Sequence, residues 1–287
     1  MSVRPPRIFI NGFGRIGRSV LRLLHTTRGQ EGFDLVGVND IAPRASCAYL
    51  FQYDSVFGPF PGTITHDETS LSVNATRILS TASCTTHALA PLLKLLDDEW
   101  GVVSGHMTTV HCYTGSQPTI DKPRDDLARS RAAALSMVPT TTSAGQLIGE
   151  VLPNLKGRIE ARAIRVPTAS ESAVDLTLQT GQPVTVAQVN AHLQSHATKS
   201  PLLGWITQPL VSTDLRGRPE SLILSGAETS VSVGGLLRLF GWYDNEWGFS
   251  NRLLDMAHLI ARRNCDSDEA RPKSLSVQAT HNLIPSL

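Results

Sequence analysis

The chain has 287 residues, of which 41% are hydrophobic and 18% are charged, so it is neither polar enough for a disordered protein nor apolar enough for a membrane protein. This length favours two compact domains and leaves one large α/β domain as the alternative. The 26 basic and 25 acidic side chains leave a formal charge of +1, and we therefore expect a soluble protein with neither nucleic acid nor a membrane as partner.

The N-terminal region predicts a βαβ unit. An apolar strand is predicted over residues 7–11, the glycine-rich turn GFGRIG follows at 12–17, and apolar residues then recur with helical spacing through 18–27. A second strand is predicted over 33–40. This order is typical of a parallel βαβ unit. The first apolar run has no cleavage-site pattern, so a signal peptide is not predicted.

The rest of the chain predicts a mixed α+β region. A helix is predicted from Thr85 onward, because leucines at 89, 92, 93 and 96 fall on one of its faces. Residues 53–63 are rich in glycine and proline and predict a loop. Further strands are predicted over 106–114, 161–168, 172–179 and 236–244, and an amphipathic helix over 251–263.

The turn at 12–17 has the pattern G-x-G-x-x-G, which suits close approach of the backbone to a pyrophosphate. Asp40 ends the next strand, where its carboxylate could accept hydrogen bonds from a ribose hydroxyl. That charge would repel the 2′-phosphate of NADP, so NAD is favoured. The predicted cofactor residues here are Gly12, Phe13, Gly14, Arg15, Ile16, Gly17 and Asp40.

The four cysteines are widely spaced and form no C-x-x-C pair, which argues against a zinc site or a disulfide framework and suits the cytoplasm. Cys84 lies at a predicted helix N-terminus, where the thiolate is favoured. Its neighbours Ser83, Thr85 and Thr86 would make a poor core but a plausible anion site. A structural role is expected for the cysteines without such surroundings, Cys47, Cys112 and Cys265.

His111, on the predicted strand 106–114, is a candidate base for Cys84. A single histidine on a strand is more often structural than catalytic. The residues alone do not place it near Cys84.

Several blocks of the chain resemble the phosphorylating glyceraldehyde-3-phosphate dehydrogenases in both order and spacing, namely INGFGRIGR, SCTTH, TTVHCYT, RSRAAALSMVPTTT, RVPT and WYDNEWGFSNR. The resemblance implies an α/β protein with a Rossmann NAD-binding domain at 1–82, completed by a C-terminal helix over 250–287. It further implies an α+β catalytic domain with a mixed or antiparallel sheet at 83–249, and assembly into a homotetramer.

The same resemblance implies that Cys84 attacks an aldehyde and that His111 activates it and later steadies the oxyanion. Hydride passes to NAD, and inorganic phosphate cleaves the resulting thioester to an acyl phosphate. No metal is implied. Other roles implied are substrate-phosphate binding by Thr114 and Arg165, binding of the attacking phosphate by Ser83, Thr85 and Thr142, and nicotinamide contacts by Asn245 and Phe249.

Six positions depart from the family pattern: His87 and Gly115 replace asparagines, Ser116 replaces an acidic residue, Ser143 replaces a glycine, and Glu171 and Lys122 replace apolar residues. Lys122 weakens the preference for NAD over NADP. Ser116 alters the surroundings of the substrate phosphate and leaves erythrose 4-phosphate open as the substrate. A catalytically silent relative is a further alternative.

The family carries roughly 65 further residues between positions 74 and 75, including later strands of the nucleotide-binding sheet. A Rossmann sheet without those strands would expose unpaired edges and apolar surface. We therefore expect the natural protein to contain that segment, which an intact mass well above 31.0 kDa would reveal.

Overall fold

The computed structural model describes residues 6–28, 32–40, 44–61 and 83–269. Its helices are α1 (Arg15–His25), α2 (Arg44–Gln52), α3 (Cys84–Trp100), α4 (Ala144–Val151), α5 (Val186–Ala197) and α6 (Trp247–Glu269). Its strands are β1 (Arg7–Asn11), β2 (Asp34–Asn39), β3 (Tyr53–Asp54), β4 (Gly58–Pro59), β5 (Val102–Cys112), β6 (Val138–Thr140), β7 (Ile159–Val166), β8 (Ser172–Thr180), β9 (Leu203–Ile206), β10 (Leu222–Ser225), β11 (Ser230–Val231) and β12 (Leu236–Tyr243).

The N-terminal sheet consists of β1 and β2, which pair in parallel with α1 between them along the chain. This confirms the predicted βαβ unit. Ile10, Phe13 and Leu23 form a buried cluster with Leu254 of α6, so the C-terminal helix packs against the N-terminal unit. The presumed gap after residue 74 and the end of the predicted completing helix, beyond residue 269, lie outside the described residues.

The larger sheet has eight strands in the order β6-β7-β5-β8-β12-β10-β9, with β11 paired to β12. The pairs β5–β7 and β9–β10 are parallel and the others are antiparallel, so the predicted mixed sheet is confirmed. Helices α3, α4 and α5 contribute to one buried cluster with inward side chains of this sheet. The predicted apolar face of α3 is confirmed, since its leucines at 89, 92, 93 and 96 are all buried.

Some elements differ from the sequence-based expectation. Helix α6 begins at Trp247 rather than at 251, because Asp244 Oδ1 accepts the backbone N–H groups of Glu246 and Trp247 and so caps the helix earlier. The glycine-rich stretch 53–63 contains the short paired strands β3 and β4. Within the described ranges, every helix is too short or too polar to cross a membrane.

Candidate active site

Cys84 is the first residue of α3, and the N-cap of this helix is Ser83. The Ser83 hydroxyl oxygen accepts the N–H of Thr86 at 3.1 Å, which satisfies one of the free donors of the first helical turn. The start of α3 lies at the end of β5. There, Cys84 Sγ lies 3.6 Å from His111 Nε2, so the structure brings together the two predicted catalytic side chains.

His111 is held from its other side by backbone and by β7. Its Nδ1 lies 2.7 Å from the Cys112 carbonyl oxygen, and Arg165 Nη1 lies 2.9 Å from both Nδ1 and that oxygen. Arg165 reaches this position because it pairs with His111 in the parallel β5–β7 register. When Nδ1 donates its hydrogen to the Cys112 carbonyl, Nε2 has a lone pair directed at Cys84.

The ionisation of this pair is dominated by burial. Burial and the Arg165 charge lower the pKa of His111 to about 4, so the imidazole is neutral at pH 7 and can accept a proton. Burial also raises the pKa of the Cys84 thiol, against the opposing hydrogen bonds of Thr85 and the charge of Arg165. The expected thiolate-stabilising effect of the helix N-terminus is therefore outweighed, and deprotonation of Cys84 needs an acceptor within reach.

Tyr243 was missed by the sequence analysis. Its buried hydroxyl lies 2.9 Å from Thr85 Oγ1 and 2.8 Å from Thr109 Oγ1, and it therefore connects the start of α3 to β5. Its ring also packs edge-on against His111, with the ring centroids 6.0 Å apart. An aromatic residue in a strand is usually a core residue, so the sequence carries no signal for this role.

Asn245 lies just before α6, and Phe249 lies in its first turn. The Asn245 Oδ1 atom is 3.0 Å from Ser172 Oγ and 3.1 Å from Cys112 Sγ. The Phe249 ring packs edge-on against His87 of α3, with the ring centroids 5.5 Å apart. Both predicted nicotinamide residues thus lie on the segment that follows β12, and each contacts an element that carries the Cys84–His111 pair.

Two predicted phosphate residues lie on loops. Thr114 follows β5 and its hydroxyl lies 2.9 Å from Ser116 Oγ, while Thr142 precedes α4 and its hydroxyl accepts the Ala144 N–H at 3.2 Å. Neither hydroxyl has a described hydrogen bond to the Cys84–His111 pair. Among the described residues, the structure therefore links neither hydroxyl to the thiol, and their role in phosphate binding stays a prediction.

The glycine turn fits the close approach of a dinucleotide. Gly12 has a φ of 98°, and a Cβ on Gly17 would lie 2.2 Å from the Gly12 carbonyl oxygen. Asp40 Oδ2 accepts the Phe13 N–H at 2.6 Å, so the carboxylate at the end of β2 lies against the turn. Since the helix N-terminus and this carboxylate flank one turn, the residues fit a pyrophosphate and an adjacent ribose.

Replacing Gly17 with alanine should open this turn. The added Cβ forces α1 away from β1, which we expect to lower the free energy of unfolding by about 1–3 kcal/mol and to weaken NAD binding. Urea denaturation and an NAD titration measure the two effects. Gly234→Ala is the matched control, because a Cβ there would have no neighbour closer than 3.9 Å. Equal stability and equal NAD affinity in the two variants would contradict the close contact between Gly17 and the turn.

Arg15, another predicted cofactor residue, uses its side chain for structure. Its guanidinium forms ion pairs with Asp54 and with Glu246, the latter at 2.7 Å through Nε, and it lies over the Phe57 ring at 5.4 Å. This arginine therefore ties α1 to β3 and to the start of α6.

Asp54 should make stability depend on acid pH. Burial opposes its charge, but the N–H groups of Phe57 and Val56 and the Arg15 charge outweigh burial and hold its pKa below the ordinary 3.8. This stabilisation is present above the unfolded-state pKa and is lost as the pH falls through the folded-state pKa. We expect Asp54→Asn to cost about 1–3 kcal/mol at neutral pH and to flatten the loss of stability below about pH 4.

Urea denaturation across this pH range tests the expectation. Asp98→Asn is the control, because the Lys94–Asp98 pair is exposed and an exposed pair contributes little. An unchanged acid limb in Asp54→Asn would contradict the role of this carboxylate.

Comparison with known proteins gives consistent results along the chain. Residues 6–90 match the family model "Glyceraldehyde 3-phosphate dehydrogenase, NAD binding domain", and residues 83–245 match "Glyceraldehyde 3-phosphate dehydrogenase, C-terminal domain". A glyceraldehyde-3-phosphate dehydrogenase of Pseudomonas aeruginosa is 39% identical over 328 residues, with 89% of this chain and 98% of the relative covered. Those of Cereibacter sphaeroides and Xanthobacter flavus are 36% and 35% identical, with 89% and 88% of this chain and 98% and 97% of the relatives covered.

The alignment with the Pseudomonas relative, over 328 residues, is longer than the 287-residue chain itself. Some residues of that relative therefore have no counterpart in this chain.

Proposed function

The chain belongs to the glyceraldehyde-3-phosphate dehydrogenase family, and we propose that it oxidises D-glyceraldehyde 3-phosphate with NAD and phosphorylates the product to 1,3-bisphosphoglycerate. The observation that carries this proposal is the 3.6 Å contact between Cys84 Sγ and His111 Nε2 at the N-terminus of α3. A thiol beside a neutral imidazole is the arrangement that nucleophilic catalysis on a carbonyl needs.

In the proposed mechanism, His111 Nε2 takes the Cys84 proton as the sulfur attacks the aldehyde carbon. Once protonated, His111 donates to the substrate oxygen, stabilises its developing charge and so yields a hemithioacetal. His111 then takes the hydroxyl proton back as the C–H bond breaks and the thioester forms. When bound, NAD would supply the acceptor for the departing hydride and a positive charge that favours the thiolate. Inorganic phosphate then attacks the thioester carbon, and Cys84 leaves as the thiolate.

We assign the phosphate groups to hydroxyls and one guanidinium around this pair. Arg165 lies beside His111 and can bind a phosphate with its remaining donors, together with Thr114. Ser83 caps α3 and Thr85 lies in its first turn, where free N–H groups and the helix dipole favour an anion. Thr142 completes this second phosphate site.

Assembly into a homotetramer is part of the proposal. Large apolar side chains on the segment between β5 and β6 are strongly exposed in the single chain, and a second copy would cover them: Ile120, Leu127, Leu135 and Met137. Cytoplasmic localisation is proposed because Cys84 and Cys112 are free thiols, as expected in a reducing compartment.

The test is NADH formation from glyceraldehyde 3-phosphate, followed by absorbance in the near ultraviolet, with and without inorganic phosphate. Turnover that requires phosphate supports the proposal. If erythrose 4-phosphate is the better substrate, the site acts on a longer aldehyde, which the absence of an acidic residue at Ser116 would favour. If no aldehyde is oxidised, the chain is a silent relative, in keeping with the residues that it lacks relative to the family.

A further inference from the structure

Glu171 and Arg216 form an ion pair next to the segment that carries Asn245. Arg216 Nε lies 3.1 Å from Glu171 Oε1, and its Nη2 lies 3.5 Å from Oε2. Glu171 is only 3% exposed, whereas the Arg216 side chain is 37% exposed. A buried carboxylate is costly unless it is paired, so the position of Glu171 depends on Arg216.

The backbone at Glu171 is also constrained. Its φ is 61°, and in the described ranges no other residue except glycine has a positive φ. Such a conformation persists in a residue with a side chain only where the surroundings hold it in place. The ion pair is such a restraint, and it therefore helps to set the direction in which the chain enters β8.

The residue after Glu171 contacts Asn245 directly. Ser172 Oγ donates to Asn245 Oδ1 at 3.0 Å and accepts the Cys112 N–H at 3.2 Å. Since Ser172 and Cys112 Sγ both bond to Oδ1, the amide NH₂ of Asn245 is turned away from them. The orientation of this side chain thus follows the backbone that Glu171 sets.

The residue after Arg216 supports the same turn from the other side. Gly217 donates its N–H to Asp244 Oδ2 at 2.9 Å, and the other oxygen of Asp244 caps α6. Glu171 is therefore followed by Ser172, which bonds to Asn245. Arg216 is followed by Gly217, which bonds to Asp244.

We propose that the Glu171–Arg216 pair positions Asn245 so that its amide faces the nicotinamide carboxamide of NAD. This inference rests on the proposed function, in which Asn245 contacts that group. The pair acts through Ser172 and Gly217 and touches no reacting atom, so both members are positioning residues. Glu171 departs here from the apolar residue that the family resemblance implies at this position.

The test compares the full-length wild type with Glu171→Gln, Arg216→Gln and Arg216→Lys. Hydrogen–deuterium exchange of the peptide over 243–248 is measured without NAD. The Kd for NAD is measured by quenching of tryptophan fluorescence, and kcat is measured at saturating NAD. Glu160→Gln is the matched control, because its ion pair with Arg162 is exposed.

We expect faster exchange over 243–248 and an approximately tenfold higher Kd for NAD in both glutamine variants, with kcat changed less than about twofold. Arg216→Lys keeps the charge and should restore most of the affinity. The side chain of Arg216 is partly exposed, so we expect its variants to fold. They test the proposal even if Glu171→Gln does not fold.

Exchange and Kd equal to those of Glu160→Gln, with only a lower Tm, would overturn the inference and leave Glu171 a purely structural residue. Failure of the wild type to bind NAD would instead overturn the proposed function. Even if the wild type binds no NAD, the exchange rate of residues 243–248 in the glutamine variants shows whether the Glu171–Arg216 pair restrains the segment that carries Asn245.

Discussion

Cys84→Ser is expected to reduce phosphate-dependent NADH formation at least about 10³-fold, because a serine hydroxyl is a far weaker nucleophile than a thiol and cannot form the thioester. The substitution removes no packing volume of consequence, and the Ser83 cap on α3 is retained. Steady-state rates with glyceraldehyde 3-phosphate, NAD and phosphate measure the loss. The Kd for NAD and the Tm should stay close to those of the wild type.

Cys47→Ser is the control for loss of a thiol. Cys47 lies in α2 and packs against the N-terminal cluster, away from the Cys84–His111 pair. A wild-type rate in Cys84→Ser, or an equal loss in both variants, would show that Cys84 is not the nucleophile.

His111→Gln should lower kcat/KM by about 10²–10⁴-fold, the usual contribution of a positioned general base. Glutamine can fill much of the space and form hydrogen bonds, but its amide cannot accept the Cys84 proton. Because burial raises the pKa of that thiol, the loss of the acceptor should also slow alkylation of Cys84 by iodoacetamide. Both rates are measured at neutral pH, where His111 with its pKa of about 4 is neutral in the wild type.

His106→Gln is a close control, because His106 lies on the same strand β5 but is exposed. It should leave both rates unchanged. If His111→Gln alkylates as fast as His106→Gln, the 3.6 Å contact does not activate the thiol.

The local features of the site could be predicted from the sequence. The leucine spacing after Thr85 indicates α3 and places Cys84 at its start, and the β-branched residues around His111 indicate β5. Likewise, the glycine pattern and its flanking strands predict the βαβ unit that the structure contains. In each case the signal lies within one element and its immediate neighbours in the chain.

The contacts between elements could not be predicted in this way. Arg165 meets His111 because β7 pairs in parallel with β5, whereas β8, the next strand along the chain, pairs with the other edge of β5. Nothing in the periodicity of these strands specifies those partners. The contacts of Tyr243 and of the Glu171–Arg216 pair also join different elements. An aromatic residue in a strand is ordinarily a core residue and a glutamate in a loop is ordinarily exposed, and only the folded chain shows what these side chains bond to.

The arrangement of the sheet has a consequence for the synthesis of the protein. Cys84 and His111 are translated well before β12. In the folded sheet, however, β8 lies between β5 and β12 and pairs with both. Tyr243 from β12 also bonds to the start of α3. Contacts between residues so distant in sequence form only after large loops close. A nascent chain on the ribosome therefore has a cysteine and a histidine but no fully assembled catalytic centre until β12 has emerged.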